Sequence, residues 1–390
     1  MKELILDVET TISNKGNPFD GSNKLCYVGC LTAGNSTLFN IEYDTSSYGD
    51  SLLDIQSMVN DCETLIGFNI KFDLHWIRRY GILFSTKRIW DCQLVHFILT
   101  GQGNSYPSLN GVAAHYGLGT KLDVVSTEYW KNGIDTPDIP KDILEEYLIG
   151  DLELTRKVYE RQLEEVSKAS PQLRRLVSLH NQDLLVLQEM EFNGLLFDEE
   201  RSNELARELE EQLVGVDRIL YEYHNLDSFN PSSGEHLSAL LYGGGIKVRR
   251  KEVIGTYKTG ARAGQVKEKW VDDVVQYERM VRPLPRSELA KEGFFATDEQ
   301  TLRNLKGSKR AKELIEVLLH RAVLEKRLTT YYRGLVELRK DMNWEHGKLH
   351  GQLNQCVART GRLSSSKPNL QNFDGQIKEL FGSRYDSKTI

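Results

Sequence analysis

The sequence predicts an α/β domain over residues 1–167, a mixed sheet with flanking helices, then a mainly α region over 168–345 and a short α+β segment over 346–390. Three observations predict this. Short apolar runs at 3–8, 25–33 and 36–43 are separated by Gly, Asn, Ser and Pro, which reads as three successive strands. Helix and strand signals then alternate from about 50 to 80. From about 172 to 223 helical character is almost unbroken, and it returns over 308–341.

The elements follow in order. Residues 50–61 have helical periodicity, 64–68 are apolar and strand-like, and 73–80 read as a helix. Residues 140–166 form one helix begun after Pro140, with Leu144, Tyr147, Leu148, Asp151, Thr155 and Val158 spaced three and four apart. The later helical region breaks at Asn193-Gly194 and restarts after Asp198, since an acid is favourable near a helix start. Residues 243–270 open on three glycines and contain Lys-Thr-Gly and Ala-Gly turns, an exposed hairpin-like insertion reaching to about 295. A short strand-like stretch spans 348–357, and there is no internal repeat.

The net charge of −6 hides an asymmetry: residues 1–165 hold 24 acids against 14 Lys and Arg, and the remainder 32 against 36. Within the second part Lys247, Arg249, Arg250, Lys251, Lys258, Arg262, Lys267 and Lys269 face only Glu252 and Glu268, either a phosphate-holding patch or a solvated loop. Five scattered cysteines (Cys26, Cys30, Cys62, Cys92, Cys356) include no Cys-x-x-Cys pair, which fits free thiols in a reducing cytoplasm. No apolar run approaches the ~20 residues that cross a bilayer. Met1-Lys2-Glu3 does not open a secretory signal, so a soluble, cytoplasmic chain with no membrane partner is expected.

Three motifs carry chemistry. In Asp7-Val8-Glu9-Thr10 two carboxylates at i and i+2 of a strand share one face. A solvated strand explains such a pair alone, but Leu4, Ile5 and Leu6 argue for a buried strand, where unpaired carboxylates are costly. In Gly67-Phe68-Asn69-Ile70-Lys71-Phe72-Asp73 a strand ends and a helix begins near Asp73, whose plainer reading is an N-cap. Tyr147 and Asp151, four apart, share a helix face, as a surface polar pair also would. Together Asp7, Glu9, Asp73 and Asp151 offer four oxygen donors, a set suited to two Mg²⁺ (or Mn²⁺). Two ions roughly 3.5–4 Å apart hold both the attacking and the leaving oxygen of a phosphodiester. Tyr147 would orient the water, because a phenol titrating near about 10 is a poor base. Asp91 reads as a helix cap, and His75, His96 and His115 as core or surface histidines.

The ordered set Asp-x-Glu, Asn-x-x-x-Asp, Tyr-x-x-x-Asp resembles the DEDDy proofreading exonucleases. That resemblance implies a ribonuclease H-like 3′→5′ exonuclease domain over 1–167 and sets Thr10, Asn69 and Phe72 beside a single-stranded DNA 3′ end.

A second resemblance follows in the remaining chain. Met190-Glu191-Phe192-Asn193-Gly194-Leu195-Leu196-Phe197-Asp198, then Phe229-Asn230-Pro231-Ser232-Ser233 and Glu325-Lys326-Arg327-Leu328-Thr329-Thr330-Tyr331, are similar to segments of family A DNA polymerases. The longest match is Ala358-Arg359-Thr360-Gly361-Arg362-Leu363-Ser364-Ser365-Ser366-Lys367-Pro368-Asn369-Leu370-Gln371-Asn372, which resembles the family's minor-groove signature. The resemblance implies a helical thumb over 168–345 and the incomplete start of a palm over 346–390. Lys326, Thr330, Arg359, Thr360, Arg362, Ser364, Ser365, Asn369, Gln371 and Asn372 would lie along a primer–template duplex. A polymerase grips any sequence, so phosphates and the minor-groove acceptors common to all base pairs are the chemistry to expect.

After Phe381 the sequence does not run into the family's Asp-Tyr-Ser-x-x-Glu segment. The expectation is an exonuclease and DNA-clamping subunit of a split polymerase, unable to polymerise alone, with a second polypeptide supplying palm and fingers. A truncated single-chain polymerase or a non-catalytic scaffold are the alternatives, and the signature argues against an RNA-processing nuclease. The insertion looks like those of phage-type polymerases, which would place the chain in a bacterial host cytoplasm.

Overall fold

The computed structural model describes residues 2–43, 49–84, 87–120 and 123–383, so the last seven residues lie outside the description. The chain divides into two compact units, Met1–Glu199 with Leu335–Ile390 and Glu200–Gly334.

The first unit is built on strands β1 (Glu3–Thr10), β2 (Leu25–Thr32) and β3 (Asn35–Asn40), helix α1 (Asp50–Asp61), β4 (Thr64–Gly67), α2 (Lys71–Arg79) and β5 (Arg88–Asp91). Helices α3 (Cys92–Leu99), α4 (Leu109–His115), α5 (Lys141–Lys168) and α6 (Pro171–Asn193) follow, then β6 (Leu195–Phe197). The five-stranded sheet has the order β3-β2-β1-β4-β5, antiparallel across β1, β2 and β3 and parallel across β1, β4 and β5. The strand that carries the two acids is therefore central.

Because side chains alternate along a strand, β1 feeds two cores. Leu4, Leu6 and Val8 pack with Ile55 and Val59 of α1 and Leu74 and Trp76 of α2. Ile5, on the other face, packs with Leu152 and Val158 of α5 and Val112 of α4. Both faces are covered, which is why β1 reads as an apolar run. Each buried aliphatic side chain contributes about 1.5–3 kcal/mol. Asp7 and Glu9 share the parity of Ile5 and so belong to the α5 side.

Sequence periodicity placed α6 with the later helices, whereas its Val177 and Leu184 join the first core. Gly194 ends it with φ +65, donating its N–H to the Met190 carbonyl at 3.1 Å. A β-carbon there would sit 2.9 Å from the His350 ring, so the turn requires glycine.

The second unit holds most of α7 (Glu199–His224), then α8 (Gly234–Tyr242), β7 (Gly244–Thr256), β8 (Val266–Tyr277), α9 (Glu299–Asn304) and α10 (Lys309–Lys326). Phe229, Leu240, Leu241, Ile246, Leu314 and Leu318 lie in its core. β7 and β8 pair antiparallel as the expected hairpin, longer than the sequence indicated. Arg249, Arg250 and Lys251 pair with Asp272, Asp273 and Glu268 across this ribbon. Three cations of the basic patch are thus already matched, in exposed pairs worth about 0–1 kcal/mol each.

The helix expected over 308–341 is interrupted by a π-helical turn, Arg327–Tyr332, before α11 (Arg333–Asp341) carries the chain back to the first unit. There β9 (Lys348–Leu349), β10 (Gln352–Asn354), β11 (Ser364–Ser366), α12 (Gly375–Lys378) and β12 (Phe381–Gly382) complete it. A small sheet runs β12-β6-β9, and β10 pairs with β11. The strand-like stretch 348–357 is therefore two short strands divided at His350-Gly351. All five cysteines are unbridged and buried. Among the described residues no helix is long and apolar enough to cross a membrane.

Candidate active site

The three acids on β1 and α5 converge. One carboxylate oxygen each from Asp7, Glu9 and Asp151 lie within 4.8 Å of one another. Asp7 stands opposite Gly29 of β2 in the antiparallel register, and that glycine brings α5 close. A β-carbon on Gly29 would meet Leu152 Cδ1 at 2.9 Å and Leu148 Cγ at 3.0 Å. Leu148 and Leu152 thus seat on bare backbone, and Asp151 between them is delivered to the β1 acids. Glu9 is 4 % exposed and Asp151 8 %, so like charges are gathered where water screens them poorly. Hard oxygen donors at this separation fit Mg²⁺ or Mn²⁺.

Tyr147, one turn before Asp151, lines the same cleft of about 300 Å³, and its ring meets Trp130 edge-on at 5.8 Å. Burial, followed by the charges of Asp151, Glu9, Asp123 and Asp7, pushes its phenol far above the ordinary range. The hydroxyl therefore stays protonated and can hold or orient water but not take a proton. The surface-pair reading of Tyr147 and Asp151 does not hold, since Asp151 is buried.

Asp73 is not a helix cap. α2 starts two residues earlier than periodicity indicated, at Lys71 after Ile70, with no side-chain cap. The Val8 N–H donates to Asp73 Oδ1 at 3.1 Å, which fixes Asp73 against β1 between the two acids of that strand. Burial, then the charge of Asp7, raises its carboxyl well above the usual range. Asp73 stands beside the group of three rather than in it. Asp91 is the cap the sequence indicated, its Oδ1 accepting from the Gln93 and Leu94 N–H groups at the start of α3. It also accepts from the Asn69 N–H at 3.1 Å, and Asn69 takes φ +58, leaving its side chain exposed. Phe72 is half-buried against the first core, and Thr10 is buried, its carbonyl accepting the Thr136 hydroxyl at 2.6 Å.

The polar segment after β10 divides by role. Arg359, Thr360, Arg362, Asn369, Gln371 and Asn372 are exposed, Ser364 half-buried, and Ser365 buried. The Ser365 hydroxyl donates to Asn369 Oδ1 and accepts the Leu370 N–H at 2.8 Å, while Asn369 Oδ1 also accepts the Gln371 N–H. Gln371 spends its amide on the Leu363 carbonyl at 2.8 Å. These three shape the segment, and the arginines project from it. Lys326 and Thr330 are exposed, four residues apart, in the second unit.

Sequence reasoning missed two residues here. Glu191 bonds Lys71, His75 and Leu353 from within the Met190–Asp198 segment, with no local signal that its partners lie elsewhere in the chain. Asp123 lines the cleft from an irregular loop without periodicity.

Comparison with known proteins falls into line with the second unit and the polar segment. The family model described as DNA polymerase family A matches residues 273–386. The chain is 26 % identical over 324 residues to DNA polymerase I of Synechocystis sp., covering 80 % of this chain and 28 % of that protein. It is 28 % identical over 276 residues to DNA polymerase I of Geobacillus stearothermophilus, covering 71 % and 25 %. The chain therefore spans about a quarter of the length of these relatives, and the alignments extend well ahead of residue 273. A solved structure described as the POL domain of Pol1 from M. smegmatis in complex with DNA primer-template and dNTP matches with a TM-score of 0.63 at 18 % identity. It covers 97 % of this chain and 54 % of that one, a likeness of fold.

Proposed function

We propose that this chain is a 3′→5′ exonuclease joined to a DNA-holding part of a family A DNA polymerase. The nuclease would have a ribonuclease H-like fold, with the second unit acting as thumb and the residues after 345 as the start of a palm. The observation that carries it is the convergence of Asp7, Glu9 and Asp151 within 4.8 Å, beside Asp73 and in a cleft shared with Tyr147.

Asp7, Glu9, Asp73 and Asp151 would hold the divalent cations, and those cations, when bound, polarise the phosphodiester and stabilise the charge that develops on it. The chain's own groups do the rest. Tyr147, held protonated, orients the attacking water through its hydroxyl. Exposed Asn69 and half-buried Phe72, at the N-terminal end of α2, present a polar and an apolar contact for the terminal nucleotides. Arg359, Thr360 and Arg362 on one loop, and Lys326 and Thr330 in the second unit, supply donors to phosphates and minor-groove acceptors.

The test is digestion of a 3′-labelled single strand by the purified chain with Mg²⁺. Asp7→Ala with Glu9→Ala should end release of nucleoside monophosphates while leaving duplex binding intact; nuclease activity surviving in that variant would overturn the assignment.

A further inference from the structure

The cleft beside Tyr147 holds one acid that the nuclease reading leaves unused. Asp123 lines it together with Asp7, Tyr147 and Asp151. Its backbone is fixed from the other side, because the Asp123 carbonyl accepts both the Thr127 N–H at 3.0 Å and the Thr127 hydroxyl at 2.7 Å, closing the π-helical turn Val125–Tyr129. The side chain takes no part in that turn. Its Oδ1 is shielded from solvent and meets no donor among the described residues.

A buried carboxylate oxygen without a donor is costly and calls for an explanation. The surroundings deepen the cost: among the described residues the cleft is lined by three acids, Asp7, Asp123 and Asp151, and by no lysine, arginine or histidine. The charge of Asp123 is felt at the Tyr147 phenol along with those of Asp151, Glu9 and Asp7, so the acids share one field. Neutral polar neighbours such as Ser108 and Asn110 do not balance three negative charges.

We propose that Asp123 is a fifth carboxylate of the metal site, set in the lining of the cleft it shares with Asp7, Tyr147 and Asp151. This rests on reading the cleft as a two-cation nuclease centre. Asp123 stands outside the group of three formed by Asp7, Glu9 and Asp151, so it would hold a water of an ion rather than the ion itself. Mg²⁺ suits that role, since it dehydrates reluctantly and keeps several waters. Groups at this distance orient the inner ligands and are costly to lose.

The test is Mn²⁺ binding to the full chain without DNA, followed by the paramagnetic signal of free Mn²⁺, for wild type, Asp123→Ala, Asp123→Asn and the Asp7→Ala, Glu9→Ala pair. Asp123→Ala should weaken binding about tenfold, with Asp123→Asn, which keeps shape and an acceptor, weakened less. Unchanged Mn²⁺ affinity in both Asp123 variants, with loss of binding in the Asp7, Glu9 pair, overturns the role of Asp123 and leaves the nuclease reading standing. Unchanged affinity in all of them overturns both. A thermal scan without metal separates misfolding from lost binding, because removing an unmatched carboxylate should leave the metal-free melting temperature equal or higher.

Discussion

Half-buried Lys71 in the first turn of α2 and buried Glu191 near the end of α6 meet as an ion pair, Nζ to Oε1 2.5 Å. The same Oε1 accepts the Leu353 N–H at 2.5 Å, Oε2 faces His75 Nε2 at 2.8 Å, and Lys71 Nζ also donates to the Leu353 carbonyl at 2.6 Å. Burial opposes the charge on Glu191, but His75 and Lys71 beside it hold its carboxyl below the usual range. One side chain thereby fixes both the helix that carries Asp73 and the strand that leads into the Arg359–Arg362 loop.

Glu191→Ala strands the Lys71 charge in the interior and should cost about 3–5 kcal/mol. Thermal unfolding of the first unit measures it, and adding Lys71→Met should recover most of the loss. An unshifted melting temperature for Glu191→Ala would show that the pair does not hold these elements together.

Gly29→Ala places a methyl against the Leu148 and Leu152 side chains, which must shift against α5 to admit it. Overpacking of this kind costs about 1–3 kcal/mol. Since Asp151 rides on that helix, nuclease activity should fall further than stability predicts. Equal activity per folded molecule would break the link between the helix seat and the site.

Tyr147→Phe removes the hydroxyl and keeps the ring that meets Trp130. Hydrolysis should slow on the order of 10- to 100-fold through lost positioning, with Mn²⁺ affinity unchanged. A Phe variant that hydrolyses at the wild-type rate would remove the water-positioning role.

Arg362→Ala should weaken duplex binding and lower the slope of log affinity against log salt by about 1, while digestion of short single strands continues at the wild-type rate. Fluorescence anisotropy at several salt concentrations reads this directly. An unaltered slope discards the phosphate contact.

Asp91 gives a pH dependence. Burial pushes its carboxyl up to about 6, against the N–H bonds from Leu94, Asn69 and Gln93 that favour the charge. A raised carboxyl favours the folded state while protonated, so its contribution is full below the unfolded value of about 3.9 and is lost as pH rises through 6. Asp91→Asn keeps an acceptor without the charge. It should match wild type near pH 4 and exceed it by about 1–3 kcal/mol at pH 8, as denaturant midpoints at the two pH values would show.

Much of this was legible in the sequence because it was local. Two acids at i and i+2 on an apolar strand, and Tyr147 four residues before Asp151, declare a shared face without knowledge of the fold. The mixed sheet followed from the strand and helix alternation. What local pattern leaves out is the identity of the partner. An amphipathic α6 shows an apolar face but not that Val177 and Leu184 turn it toward the first core, in the compact unit that runs to Glu199. Glu191 looks like any helix carboxylate until residues 71, 75 and 353 are brought to it. Asp123 sits where no period exists to read.

The buried thiols offer a clock. All five cysteines belong to the first unit, and Glu200–Gly334 contains none. Burial holds the Cys26 and Cys30 sulfurs at about 12, so neither is a nucleophile in neutral buffer. An alkylating reagent therefore marks the native chain only as fast as its first unit opens. Counting mass increments against time would follow that opening alone, and would show directly how far cations or a DNA end slow it.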